Sequence, residues 1–312
     1  MTDRLKGNVT TIGLFDSGVG GLSVLRQLQR FSSAAVPAHK LRFLYVGDTA
    51  RCPYGNREPQ EIRLYVSQIV DWLLGQGVSS IVMACNTSAA LASSVARLRS
   101  SVPVFDLIGP TAQFLAQSAR KVAVLATAST VRSQAFSRAI ALVNRSIQVL
   151  EIACPELVPL VERGEILAAG TRDILWKYVR QVASEKVDAV VLGCTHYPFL
   201  IDLLRGMLAP PVLLVDPAER LLVSLADQVQ LPLHCQPGDA SDRPWEQTDL
   251  FVTGSPSHFL DTAQICLGRR PGTVYGIGVQ ELELALGSRL PAEILPGAEH
   301  PASPVVSGSI TA

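Results

Sequence analysis

The chain has 312 residues, of which 48% are hydrophobic, and its 27 Lys and Arg residues balance its 27 Asp and Glu residues. This length accommodates two domains of medium size better than one large core. Because the net charge is zero and no run of basic residues is interleaved with aromatics, the chain lacks the electrostatic pattern of a nucleic-acid-binding protein, so we expect a small soluble molecule as its partner.

Neither a membrane segment nor a secretion signal is predicted. Residues 1–11 lack the apolar stretch of a signal peptide, and no segment approaches the roughly 20 consecutive apolar residues that a membrane helix needs. The six cysteines, at positions 52, 85, 154, 194, 235 and 266, include no Cys-x-x-Cys pair. We therefore expect free thiols in a reducing cytoplasm rather than a disulfide framework.

Short apolar runs rich in β-branched residues alternate with segments of helical period. The runs cover residues 11–15, 41–46, 80–84, 102–108, 121–125, 187–193 and 212–215, and the clearest helical segments are 21–31, 59–75, 89–98 and 170–183. This alternation predicts an α/β fold with largely parallel, doubly wound sheets, in which ligands bind beyond the carboxyl ends of the strands. Residues 249–253 predict one more strand, followed by a helical pattern to residue 267.

The sequence contains an internal repeat. Three pairs of segments align in the same order at nearly equal offsets: 81–85 with 190–194 at 109, 12–17 with 122–127 at 110, and 102–104 with 210–212 at 108. The first pair ends in a cysteine each time, Cys85 in one half and Cys194 in the other. If the halves face each other about a pseudo-twofold axis, these two cysteines flank a shared cleft.

The repeat predicts the domain organisation. We expect a first α/β domain formed by residues 8–106 and 214–290, which carries Cys85, and a second formed by residues 107–213, which carries Cys194. Residues 291–312 are rich in Pro, Ala, Ser and Gly, which indicates a flexible tail.

Two cysteines facing one cleft suit a reaction that removes a proton from one face of a carbon atom and returns a proton to the other. Such chemistry needs one thiolate and one thiol, and the ordinary cysteine pKa of about 8.5 is easily tuned by neighbours. Asn86 and Thr87 follow the first cysteine, and Thr195 and His196 follow the second. Their donors can hold the charged groups of an amino acid, although a buried cysteine at a strand end also serves as a small core residue.

Two loops that follow predicted strands complete the candidate site. Residues 13–21 are rich in glycine and open a helix, so they favour close approach of a carboxylate, but they have neither dinucleotide nor P-loop spacing. Asp16 in this loop either binds an ammonium group or caps the helix. Residues 47–55 form a second loop, which offers Tyr54 and main-chain donors.

These motifs resemble those of the glutamate racemases, a cofactor-free branch of the aspartate/glutamate racemases. The resemblance runs from about residue 10 to residue 270, and its segments are 13–18 (GLFDSG), 47–55 (GDTARCPYG), 84–87 (ACNT), 158–162 (VPLVE), 193–198 (GCTHYP) and 214–218 (LVDPA). It implies two α/β domains with the active site in the cleft between them.

The resemblance also implies roles for individual residues. Cys85 would take the α-proton from D-glutamate, and Cys194 would take it from L-glutamate. Substrate contacts would come from Asp16, Ser17, Tyr54, Gly55, Asn86, Thr87, Thr195 and His196, and auxiliary acidic groups from Asp48 and Glu162. The family implies that neither a cofactor nor a metal is needed, that the enzyme is a homodimer, and that its D-glutamate supplies peptidoglycan synthesis.

Other functions remain open at this stage. A pyridoxal-phosphate racemase needs a lysine beside a phosphate cradle, and none of the five lysines lies in a glycine-rich element. A cysteine hydrolase would leave one of the duplicated cysteines without a role. A zinc site would have an unusual ligand spacing in Cys194-Thr195-His196 and no second cluster of ligands to complete it. A two-lobed ligand sensor needs no thiol on each lobe. An aspartate or hydantoin racemase would share the two-cysteine mechanism, so the motifs favour glutamate without fixing the substrate.

Overall fold

The computed structural model describes residues 9–34, 40–229 and 248–287 of the chain. The strands are β1 (Val9–Asp16), β2 (Lys40–Gly47), β3 (Ser80–Met83), β4 (Val104–Asp106), β5 (Lys121–Ala126), β6 (Gln148–Ala153), β7 (Ala189–Gly193), β8 (Leu213–Val215), β9 (Thr248–Val252) and β10 (Val274–Gly276). The α-helices are α1 (Leu22–Ala34), α2 (Pro59–Gly75), α3 (Asn86–Arg99), α4 (Ile108–Ser118), α5 (Ala128–Ser133), α6 (Ala135–Val143), α7 (Leu157–Glu162), α8 (Thr171–Ser184), α9 (Ile201–Arg205), α10 (Pro217–Val229), α11 (Pro256–Leu267) and α12 (Val279–Gly287).

The strands form two parallel sheets, as the alternating pattern predicts. A six-stranded sheet has the order β10-β9-β2-β1-β3-β4, and a four-stranded sheet has the order β6-β5-β7-β8. We call the six-stranded sheet with its helices the first lobe and the four-stranded sheet with its helices the second lobe. The central strands β3 and β7 are buried along their whole length, which explains their continuous apolar sequence. The predicted α/β fold with largely parallel sheets is confirmed.

The internal repeat is visible in the topology. The order β2-β1-β3-β4 in the first lobe matches β6-β5-β7-β8 in the second. Register matches as well, since Phe15 pairs with Met83 while Leu125 pairs with Leu192. The third pair of segments, 102–104 with 210–212, is aligned two residues away from the structural match. The strand registers make Leu214, and not residue 212, the counterpart of Val104.

Two elements differ from the sequence prediction. The apolar run 102–108 is not one strand, because the Asp106 carboxylate accepts hydrogen bonds from the amides of Ile108 and Gly109 and so starts α4 directly after β4. Strand β6 was not predicted, since it lies at a sheet edge and is mostly half-buried. Its Glu151 accepts hydrogen bonds from Ser137, which interrupts the apolar pattern expected of a buried strand.

One large core connects the lobes. It contains Ile12 and Leu14 from β1 and also Ala123 and Leu125 from β5, all of them fully or almost fully buried. Separate apolar clusters cover the other face of each sheet. The two sheets are therefore packed through their inner faces, and the loops that follow β1, β3, β5 and β7 can meet.

Several sequence predictions concern particular segments. The five cysteines within the described residues are free thiols, while Cys235 and the tail 291–312 lie outside the described residues. Within residues 9–34, 40–229 and 248–287, no helix combines the length and apolar character needed to cross a membrane. The domain limits given by the repeat stay a prediction.

Helices α2 and α3 are joined by a buried ion pair, which gives a test of the first lobe. Arg99 donates to both carboxylate oxygens of Asp71, and the two side chains are only 6% and 1% exposed. Asp71→Asn should lower the free energy of unfolding by about 3–5 kcal/mol, because it leaves a guanidinium buried without its counter-charge. Urea denaturation measures this change.

The exposed pair Arg205–Asp202 provides the control. Its side chains are 65% and 93% exposed, so Asp202→Asn should change the free energy of unfolding by less than about 0.5 kcal/mol. Equal losses in the two variants would contradict a special contribution from the buried pair.

Candidate active site

A closed cavity lies where the carboxyl ends of strands from both lobes meet. It is lined by Ser17, Pro53, Tyr54, Gly55, Cys85, Asn86, Thr87, Thr127, Val158, Cys194, Thr195 and His196. The space within which the centre of a water molecule can move is about 10 Å³, so the lobes close tightly on each other. The two cysteines of the repeat thus face one cavity from opposite lobes.

Most residues singled out in the sequence line this cavity, but the three acidic ones do not. Asp16, Asp48 and Glu162 lie behind its wall, where each accepts hydrogen bonds from residues that line the cavity. Their contacts with the cavity are therefore indirect in this closed form.

Three lining residues were missed by the sequence reasoning: Pro53, Thr127 and Val158. A signal for Thr127 was present, because the repeat aligns it with Ser17 at the end of the equivalent strand. Pro53 and Val158 also line a neighbouring cavity of about 270 Å³ beside Glu162 and α11, so these two side chains stand between the two spaces.

Cys194, His196 and Glu162 form a chain of hydrogen-bond contacts. Its Sγ lies 3.7 Å from Nδ1 of His196, and Nε2 of His196 lies 2.6 Å from Oε1 of Glu162. Burial lowers the pKa of His196, but the contacts with Cys194 and Glu162 outweigh it, so the pKa is raised well above its ordinary value. The pKa of Glu162 is lowered, because the hydrogen bond and charge of His196 outweigh burial. Both directions favour an imidazolium–carboxylate pair beside the sulfur.

Glu162 also ties the second lobe to the glycine-rich loop of the first. Its Oε1 accepts a hydrogen bond of 3.1 Å from the amide of Val19. Gly18 allows this close approach, since a Cβ there would clash with Glu162 Oε1. Gly20 faces His196, and a Cβ there would lie 2.5 Å from both His196 Nδ1 and Thr195 Oγ1. The loop can pack against the His196 side only because this position has no side chain.

Cys85 has different surroundings. It is the N-cap residue of α3, and its Sγ accepts a hydrogen bond of 3.5 Å from the amide of Ser88. The pKa of Cys85 is raised to about 12, because burial and the nearby charge of Asp16 outweigh the contacts with Ser88, which lower it. The sequence predicted that α3 begins at residue 89, so this capping role was not foreseen.

Asp16 joins the lobes at the end of β1. Its carboxylate accepts hydrogen bonds of 2.8 Å from the Gly18 amide and 2.9 Å from Thr195 Oγ1, the latter across the cleft. The side chain is fully buried, and burial raises the pKa of Asp16 to about 6. The sequence left open whether Asp16 is a helix cap, and the structure shows it bonded to its own loop and to the opposite lobe.

Asp48 fixes the loop that carries Tyr54. It accepts hydrogen bonds from Tyr54 Oη, from Arg51 Nε at 2.7 Å and from Thr253 Oγ1 at 2.8 Å. Arg51 in turn lies over the ring of Tyr65, 4.1 Å from its centroid. Because Asp48, Arg51 and Tyr54 are almost fully buried, the network holds the Tyr54 side chain in one position at the cavity wall.

Thr87 and Asn86 are neighbours on the cavity wall that differ in whether their polar side-chain atoms have hydrogen-bond partners. Thr87 Oγ1 lies 2.9 Å from Thr127 Oγ1, a contact between the lobes. The amide oxygen and nitrogen of Asn86 are both buried and have no hydrogen-bond partner among the described residues. Since unpaired buried polar atoms are unfavourable, Asn86 offers a donor and an acceptor to a molecule in the cavity.

Comparisons with known proteins reveal a family and several relatives with the same fold. A family model described as Asp/Glu/Hydantoin racemase matches residues 12–225. The chain is 42% identical over 264 residues to a glutamate racemase of Synechococcus sp. (strain CC9605), covering 83% of this chain and 95% of the relative. The structure of glutamate racemase isoform RacE1 from Bacillus anthracis is similar with a TM-score of 0.75 and 28% identity, covering 86% of this chain and 98% of that one. A glutamate racemase structure from Francisella tularensis, in complex with D-glutamate, has a TM-score of 0.73 and 26% identity, covering 86% and 97%.

The Glu162–His196 contact predicts the ionisation of the imidazole. Glu162→Gln should lower the pKa of His196, because the glutamine carries no negative charge to stabilise the imidazolium. NMR titration of the imidazole Cε1 proton, identified by its absence in His196→Asn, measures this shift. A pKa of His196 that is unchanged in Glu162→Gln would show that the carboxylate does not hold the imidazolium.

The burial of Asp16 predicts how stability depends on pH. Because its pKa is raised from 3.8 to about 6, the folded protein binds this proton more tightly than the unfolded chain does. The resulting stabilisation is present below about pH 4 and is lost as the pH rises through about 6. At pH 8, Asp16→Asn should therefore raise the free energy of unfolding, by on the order of 3 kcal/mol, and the gain should shrink toward pH 4.

Denaturant unfolding at several pH values measures the effect. Asp261→Asn is the control, because Asp261 is exposed on α11 and its replacement should change stability little at any pH. A variant Asp16→Asn that is less stable than the wild type at pH 8 would contradict a net cost of burying the ionised carboxylate.

Proposed function

Because this chain belongs to the Asp/Glu/Hydantoin racemase family and is therefore an isomerase, we propose that it interconverts L-glutamate and D-glutamate through two cysteines without a cofactor. The membership confirms the family resemblance of the sequence motifs. Glutamate as the substrate is supported by the names of the relatives and by the D-glutamate present in one related structure.

The observation that carries the mechanism is the position of Cys85 and Cys194 on one cavity, at equivalent strand ends of opposite lobes. With D-glutamate, the Cys85 thiolate takes the α-proton and the Cys194 thiol gives its proton to the opposite face of the carbon. With L-glutamate the roles are reversed. One proton leaves and one arrives in each turnover, so the enzyme ends with the two thiol states exchanged.

The α-carbon is a weak acid, so the site must stabilise the negative charge that develops on the substrate carboxylate. A closed cavity strengthens such stabilisation, because little water competes for the donors. Ser17, Asn86, Thr87 and Thr195 line the cavity and can donate to the carboxylate. Asp16 lies behind the wall, bonded to Thr195, and its charge would attract the ammonium group from there. The side-chain amide of Asn86, which has no hydrogen-bond partner among the described residues, is the best candidate to bind a ligand.

The two halves of the reaction are supported by different groups. His196, held by Glu162, can donate a hydrogen bond to the Cys194 sulfur during the half-reaction that starts from L-glutamate. Asp48 serves indirectly, by holding Tyr54 at the wall. Gly55 allows the loop to approach Thr127, since a Cβ at this position would lie 2.8 Å from the threonine.

The wider setting is part of the same proposal. Unpaired thiols at the site require a reducing compartment, which agrees with action in the cytoplasm. D-Glutamate made there would supply peptidoglycan and thus cell-wall synthesis. The active species would be a homodimer. Within each chain, the domain limits would lie near residues 106 and 213.

The first test is proton NMR of the purified protein with L-glutamate in D₂O and no added cofactor. The α-proton signal should disappear while D-glutamate forms, as a chiral assay would show. Exchange with aspartate but not with glutamate would change the substrate and keep the mechanism. No exchange with either amino acid would contradict the proposed racemase activity.

Replacement of either cysteine tests the mechanism. Cys85→Ser and Cys194→Ser should each lower kcat for racemisation by about 10²–10⁴-fold, since a serine hydroxyl ionises far less readily than a thiol. Cys266→Ser, a buried cysteine of α11 that does not line the cavity, is the control and should retain activity. Wild-type turnover in either variant at the cavity would remove that cysteine from the mechanism.

A further inference from the structure

The two cysteines are held by groups of different kinds. Cys194 has an imidazole that can carry a positive charge, and this imidazole is paired with a carboxylate. Cys85 has no such neighbour: the hydrogen bond to its sulfur within the described residues comes from the amide of Ser88. A thiolate at Cys85 must therefore be stabilised by neutral donors at the start of α3.

Ser88 is placed to supply more than its amide. It is the third residue of α3 after the N-cap Cys85, and a side chain at this position can fold back toward the N-cap. The residue is fully buried, and its hydroxyl has no hydrogen-bond partner among the described residues. An unpaired hydroxyl in the interior is unfavourable, so an alanine would suit this position better if packing were its only role.

The electrostatics of Cys85 point the same way. The pKa of Cys85 is raised to about 12, because burial and the charge of Asp16 outweigh the donors of Ser88, which act in the opposite direction. The 14-residue helix α3 adds the positive end of its dipole at the same sulfur. These are the groups that counteract the desolvation of the thiolate.

We propose that the Ser88 hydroxyl is a thiolate-stabilising donor for Cys85, and that it acts with the Ser88 amide when Cys85 is the base. The inference rests on the proposed two-cysteine mechanism and adds a residue to it. When Cys85 is ionised, the hydroxyl turns its proton toward Sγ. When Sγ takes the α-proton of D-glutamate, the thiol forms and the hydroxyl is released. Ser88 gives up no proton, so it positions charge rather than transferring it.

Single-thiol half-reactions separate Ser88 from a structural role. In Cys194→Ser, Cys85 alone can remove the α-proton from 3-chloroglutamate of D configuration at Cα, chloride then leaves the β-carbon, and the resulting enamine hydrolyses to a 2-oxo acid and ammonia. In Cys85→Ser, Cys194 does the same with the L configuration. Release of the 2-oxo acid reports each cysteine separately.

Adding Ser88→Ala to each background gives the expected contrast. The D-side rate in the Cys194→Ser background should fall about tenfold, because one hydrogen bond to an anion is lost, and the L-side rate in the Cys85→Ser background should not change. The midpoint of the D-side pH profile should move upward by about one pH unit, and Ser88→Thr, which keeps the hydroxyl, should restore it.

A matched control separates the specific role of the Ser88 hydroxyl from the general effect of removing a buried hydroxyl. Ser80 of β3 is also buried with an unpaired hydroxyl but lies at the other end of the strand, so Ser80→Ala should leave both half-reactions unchanged. Equal loss on both sides in Ser88→Ala, or no loss on the D side, would overturn the role of Ser88. Parent single-cysteine variants that eliminate chloride from neither configuration would instead overturn the two-cysteine mechanism itself.

Discussion

The withdrawal of charged groups from water at the junction of the lobes is the constraint on which the rest of the structure depends. Asp16 is fully buried and is bonded to Thr195 of the opposite lobe, and Glu162 is bonded to the amide of Val19 across the same junction. Each carboxylate accepts a hydrogen bond from the opposite lobe, and these bonds form only when the lobes are together. For Asp16 they do not fully offset the cost of burial, since its pKa is raised to about 6.

A duplicated scaffold has produced two unlike thiols. Strands β3 and β7 are equivalent in order and register, yet α3 starts immediately after Cys85, whereas Cys194 is followed by His196 and a short turn at Tyr197–Leu200. The helix places neutral donors at one sulfur, and the turn places an ionisable ring at the other. In the proposed reaction, the two faces of the carbon would therefore meet thiols in different electrostatic surroundings, one beside an ionisable histidine and one beside neutral donors.

Several polar groups at or next to the cavity wall lower the stability of the folded protein. The buried carboxylate of Asp16, the unpaired amide of Asn86 and the unpaired hydroxyl of Ser88 are all unfavourable for folding taken alone. They cluster around the two sulfurs. Next to them Asp48 accepts hydrogen bonds from Arg51 and Tyr54, although one terminal nitrogen of Arg51 is itself buried without a partner among the described residues. Polar groups that are unfavourable for folding are thus concentrated at the candidate site.

The sequence by itself determined the α/β class, the repeat and the position of each cysteine at a strand end, because apolar periodicity along the chain reports which segments are buried. It also placed Asp16, Asn86 and His196 near those ends. Tertiary structure decided the rest: that Thr127 and Val158 share the cavity, that Glu162 pairs with His196, and that Cys85 caps α3 by accepting a hydrogen bond from the Ser88 amide. The contacts of Asp16 with Thr195 and of Val19 with Glu162 span 179 and 143 residues, and such contacts leave no local pattern in the chain. Short-range periodicity fixes what is buried, but only the packing of the two lobes decides which buried groups meet.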